Sequence, residues 1–150
     1  MKAELIDDAS EKTYALIFEP GDDVIAGLLD IAHRHHLAGS HFTAIGGFSR
    51  VVLGYFEWTE KRYRPIPIEE QVEVLMLAGD IALRDDGEPM VHAHVVVATS
   101  DALAHGGHLL EATVWPTLEV ILVESPVHLH RTFDADVGAA LIRLPDDAES

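Results

Sequence analysis

The chain has 150 residues, with 26 acidic against 10 basic side chains, a formal charge of −16 and 48% hydrophobic residues. A chain of this length buries roughly two thirds of its extended surface, enough for one self-supporting domain, and the hydrophobic share argues against disorder. No cysteine is present, which excludes disulfides, thiolate metal sites and cysteine nucleophiles and fits a reducing cytoplasm, while Met1 to Ser10 hold no signal-peptide stretch and no apolar run reaches membrane-spanning length.

Tyr14 to Glu19 reads as a short strand, broken at Pro20-Gly21, and Asp22 or Asp23 then stands at the N-cap of a helix. Val24, Ile25, Leu28, Leu29 and Ala32 recur at helical spacing, with Asp30 and Arg34 paired on the other side, and the helix is expected to end between His36 and Gly39. His33, His35 and His36 complement the negative end of the helix dipole there and are read as capping residues. From Ser40 onward the texture is β: Phe42 to Ile45, a break at Gly46-Gly47, then Val51 to Trp58, Val72 to Leu83, Met90 to Ala98, Leu118 to Val123 and Ala139 to Leu144. Turns are expected at Thr59 to Arg62, at Asp85-Asp86-Gly87 and at Ser125-Pro126, and the acidic Pro145 to Ser150 reads as a frayed tail. The fold class is α+β: one compact domain over residues 1–150, a mainly antiparallel sheet with one principal helix.

The charge balance disfavours nucleic acid as a partner, because Lys and Arg against phosphates supply most of the non-specific affinity. The one basic concentration, Lys61, Arg62 and Arg64, is hemmed in by Glu57, Glu60, Glu69 and Glu70 and reads as a solvated turn of mixed charge. No phosphate-binding glycine loop, G-x-S-x-G or H-E-x-x-H is present, which removes two nucleotide-binding routes and two common hydrolase signatures.

Ten histidines remain to be explained. His92 and His94 interrupt an otherwise apolar run, Met90 to Val97, that reads as a central strand. Residues i and i+2 of a strand project from one face about 7 Å apart, so two imidazoles can converge on one ion while Val91, Ala93, Val95 and Val97 face the other way, the alternative for the pair alone being satisfied core or cleft histidines. His108 is the candidate third donor, because Gly106-Gly107 before it let the backbone turn sharply and approach a neighbouring strand; His105 is a rival. Glu111 is a candidate acceptor behind a ligand ring. Three neutral imidazoles with one position left over describe an open site for Zn2+ or another divalent transition metal. His128 and His130, another alternating pair, read as solvent-facing strand residues with a metal role as the alternative.

Ala44-Ile45-Gly46-Gly47-Phe48-Ser49, Leu53-Gly54-Tyr55-Phe56 and Glu73 to Leu83, followed by Gly87-Glu88-Pro89-Met90-Val91-His92-Ala93-His94, Gly106-Gly107-His108-Leu109-Leu110-Glu111 and Leu118-Glu119-Val120, resemble the plants-and-prokaryotes-conserved (PPC) domain in its bacterial, stand-alone form. The resemblance covers about Tyr14 to Leu144. It implies a compact α+β fold, association as homotrimers, and zinc held at the positions of His92, His94 and His108. Plant relatives join the domain to an Arg-Gly-Arg-Pro segment that enters the DNA minor groove, and the family carries a DNA-binding label from it; no such segment exists here. Plant members also use a Gly-Arg-Phe-Glu-Ile-Leu stretch to contact transcription factors, and Gln71-Val72-Glu73-Val74-Leu75 lacks its Gly-Arg start.

Three functions follow. The first is a stand-alone trimeric module with a three-histidine metal site and a ligand-binding or regulatory role, its partners being its own copies and a small molecule. The second is DNA binding, as the family label implies. The third is a metal-dependent enzyme that activates water, with Glu111 or His105 moving protons; binding is preferred over catalysis, and no catalytic residue is assigned. A cytoplasmic location without membrane contact is expected.

Overall fold

Apolar residues at a spacing of two, with one stretch at helical spacing, build nine strands and one helix over the described residues, 2–8, 11–124 and 130–143 of a computed structural model. In chain order these are β1 (Lys2–Asp8), β2 (Lys12–Phe18), α1 (Val24–His35), β3 (Gly39–Glu57), β4 (Arg62–Ile68), β5 (Val72–Arg84), β6 (Pro89–Ala98), β7 (Ala104–Glu124), β8 (His130–Asp134) and β9 (Ala139–Arg143).

Of the two candidates for the helix cap, Asp23 takes the role: its carboxylate accepts from the Ala26 N–H at 2.8 Å. At the other end His36 adopts the left-handed conformation, φ 53°, and ends the helix, with His33, Arg34 and His35 in the last turn. The Asp30–Arg34 pair closes at 2.8 Å on the exposed side. Val24, Leu28, Ile31 and Ala32 are buried and seat the helix against β6 and β7.

The strands run β1-β2-β7-β3-β5-β8-β9, with β4 on β3 and β6 bridging β5 and β7. All pairings are antiparallel except β5 with β8. Because β3 pairs β5, β5 pairs β6, β6 pairs β7 and β7 pairs β3, these four strands close a ring. The buried core includes Phe18, Phe42, Phe48, Leu77, Val97, Leu118 and Leu122, each fully buried or nearly so.

Several local expectations are corrected. Gly46-Gly47 does not break the chain; β3 runs through it as a bulged strand, with register shifts between Ala44/Gly46 and Gly46/Phe48. Gly46 has φ 151°, and a Cβ there would lie 2.3 Å from the Thr117 carbonyl oxygen. Arg62 and Arg64 belong to β4 rather than to a turn. Pro65 and Pro67 mask this strand in the sequence, and β4, which among the described residues pairs with β3 alone, tolerates them as an edge strand does. Leu118 to Val123 is only the second half of β7, which begins at Ala104 and passes straight through Gly106-Gly107 without turning. The β1 strand was not expected. The turn at Ser125-Pro126, the end of the last strand at Leu144, the tail Pro145 to Ser150 and His128 lie outside the described residues.

Candidate metal centre

Along β6 the side chains alternate: Ala93, Val95 and Val97 are buried in the core, and His92 and His94 stand on the opposite face. Antiparallel register then sets their neighbours. His94 lies directly across from His108 on β7, His92 across from Asp80 on β5, and His108 across from Gly54 on β3. Gly107 allows this approach, since a Cβ there would meet the Gly54 carbonyl oxygen at 2.9 Å. The paired glycines thus act through closeness to β3, not through a turn.

One ring nitrogen from each of His92, His94 and His108 lies within 4.8 Å of the other two. A tetrahedral ion held at the usual imidazole bond length needs its ligands about 3.4 Å apart, a gap that small side-chain rotations cover. His108 is the most enclosed: its ring stacks on Tyr63 at 4.3 Å and 22°, and its buried Nδ1 has no hydrogen-bond partner. Burial, then the neighbouring charges of His92, His94 and Arg131, push its pKa down to about 4. Burial and then His92 lower that of His94 as well. Both rings therefore carry free lone pairs at neutral pH. An all-imidazole donor set with no carboxylate or thiolate suits zinc, copper, nickel or iron and not magnesium or calcium. The residues present fit a divalent transition metal.

Behind His92 is a group that sequence reasoning missed. Arg131 of β8, only 5% exposed, donates from Nη2 to both oxygens of Asp80 at 2.7 and 2.8 Å and from Nη1 to the Ala140 carbonyl at 3.0 Å. The same Nη2 stands 3.1 Å from His92 Nδ1, with an Asp80 oxygen 3.6 Å from that nitrogen. Burial works to raise the Asp80 pKa, but the hydrogen bonds with His92 and Arg131 and the charge of Arg131 outweigh it and hold the carboxyl below its ordinary value.

The other candidates are placed elsewhere. Glu111 is exposed and pairs with Arg50 at 3.4 Å, and His105 faces Val97 in the β6–β7 register; neither joins the three-nitrogen group among the described residues. His130 is exposed on β8, opposite Leu83. His33 bonds the Leu29 carbonyl at 2.8 Å and Glu88 at 3.0 Å, a local helix-end role. In the basic cluster, Arg62 Nε donates to Glu60 at 2.6 Å and Arg64 Nε to Glu57 at 2.8 Å.

Comparison with known proteins gives a consistent family. Residues 7–126 match the Plants and Prokaryotes Conserved (PCC) domain, the family abbreviated PPC above. No curated protein matches the chain. Among solved structures, a Ralstonia eutropha JMP134 protein described as a "Putative DNA-binding protein" is 30% identical, with TM-score 0.82 over 88% of this chain and 91% of that one. A plant- and prokaryote-conserved protein from Pyrococcus horikoshii is 27% identical, with TM-score 0.83 over 97% and 96%. A metal-containing protein from Archaeoglobus fulgidus is 26% identical, with TM-score 0.81 over 95% and 97%. Sheet, helix and sequence agree, and the chain belongs to the Plants and Prokaryotes Conserved domain family.

Proposed function

We propose that this protein is a cytoplasmic, trimeric, metal-binding module in which His92, His94 and His108 hold Zn2+ or another divalent transition metal and present it to a small ligand. The observation that carries this is the in-register pairing of His94 with His108, with His92 two residues along the same strand face. The Archaeoglobus relative, named as metal-containing, supports it. When bound, the ion supplies a Lewis-acidic position, since three imidazoles leave a fourth site for water or ligand. Binding is favoured over water-activating catalysis because the nearby carboxylates are engaged, Asp80 with Arg131 and Glu111 with Arg50. Self-association, as trimers by the family resemblance, is supported by an apolar outer face on which Ile17, Ile45, Met76 and Ile121 are 40 to 57% exposed around one groove.

Elemental analysis of protein prepared without a histidine tag is expected to find about one ion per chain, lost in the double variant His92→Ala/His108→Ala. Unchanged metal content in that variant overturns the assignment. Protons compete for the same lone pairs, so metal occupancy is expected to fall as pH drops through the acidic range, the lowered pKa values of His94 and His108 working against that loss.

DNA binding is the second reading, favoured by the description of the Ralstonia relative. The charge of −16 and the carboxylates paired with Arg62 and Arg64 speak against it.

A further inference from the structure

Beside the histidines is a cavity of about 340 Å³. Lys61, Arg62 and Arg131 line it together with Tyr63, His92 and His108, and among the described residues no carboxylate does. In a chain with 26 acidic and 10 basic side chains, a wall with three cations and no acid runs against the composition. Two of these cations are already matched, Arg62 by Glu60 and Arg131 by Asp80. Lys61 is not. Its ammonium donates to the Ala135 carbonyl at 2.7 Å, and no carboxylate pairs with it among the described residues, which leaves two of its three N–H groups for a ligand.

The turn between β8 and β9 fixes Lys61 in this position. Gly138, at φ 82°, packs so closely on the lysine chain that a Cβ there would lie 2.5 Å from Lys61 Cβ. The remaining wall is largely apolar, with Phe56, Met90, Phe133 and Leu141. A divalent ion on three neutral imidazoles would keep its full positive charge, and the exposed Lys61 ammonium adds a second positive charge on the cavity wall, so the two together favour an anion.

We infer that the cavity receives a small organic anion, a carboxylate on a short apolar body, with Lys61 as its binding residue beside the ion at the histidines. This rests on the metal reading of the triad and names the class of ligand presented there. The volume suits such a molecule, being at the small end of ligand cavities.

The test uses full-length protein loaded with Co2+ and titrated with benzoate, or with benzyl alcohol as its uncharged counterpart, while the visible bands of bound cobalt and the heat of mixing are followed. Benzoate is expected to shift the bands saturably and benzyl alcohol to leave them unmoved. Lys61→Met is expected to weaken benzoate roughly tenfold at unchanged cobalt content, and Lys61→Arg to retain most of the affinity. Cobalt-loaded protein that ignores benzoate, binds the alcohol equally well, or binds benzoate as tightly after Lys61→Met overturns the inference and leaves the metal site standing. Protein that takes up no cobalt overturns both.

Discussion

Arg131 and Asp80 show how much of a site depends on residues with no signature of their own. Arg131 is almost wholly buried, and its charge is answered by one half-buried carboxylate. Asp80→Ala removes that answer, and denaturant unfolding of the ion-free protein should show a loss of about 3 kcal/mol, because an unmatched buried guanidinium is left behind. The double variant Asp80→Ala/Arg131→Met should recover part of the loss, since both charges are then gone. The sign with pH follows from the lowered Asp80 pKa: the pair's contribution is present above the ordinary carboxyl value of 3.8 and disappears as pH falls through the still lower folded value. Neither residue was legible as part of the site. His92 and His94 were, because the period of a strand is local and two residues suffice to reveal it. Asp80 meets His92 only through the register of β5 on β6, and Arg131 arrives from a strand 39 residues further along the chain.

At the scale of elements, apolar spacing made α1, β5 and β6 readable nearly to their ends, whereas β4 and the first half of β7 were hidden. In β4 the prolines and charges mask an edge strand, and in β7 two glycines resemble a turn while serving a close approach. The second point is open to measurement. Gly107→Val pushes β7 away from β3 beside His108, and metal titration should show affinity reduced roughly tenfold or more with the fold retained. Gly106→Ala, whose Cβ would sit 3.3 Å from the Val95 carbonyl oxygen, should cost less. The contact between α1 and the β5–β6 turn gives a separate signal. The hydrogen bond to Glu88, then that to Leu29, raises the His33 pKa above 6.5. Its stabilising contribution is therefore full below pH 6.5 and lost as pH rises through the folded value. Thermal melts of the wild type and Glu88→Gln should converge as pH rises through that value; a difference that persists unchanged would remove the contact from the account.

For the whole molecule, composition and fold point the same way. A charge of −16 predicts no shift of random or A·T-rich duplex DNA at physiological salt in a gel assay, and micromolar binding with a steep salt slope would restore the nucleic-acid reading. Light scattering should return the mass of three chains, and Ile45→Asp with Ile121→Asp should return one, because both side chains stand exposed on the apolar outer face.

The closed ring of β3, β5, β6 and β7 bears on how an ion is taken up. His94 and His108 sit on backbones hydrogen-bonded on both flanks, so the sheet holds the backbones that carry these rings in place and side-chain rotation alone brings the nitrogens to their guest. The centre has a preformed backbone, and loading it should leave the far-ultraviolet dichroism of the protein unaltered.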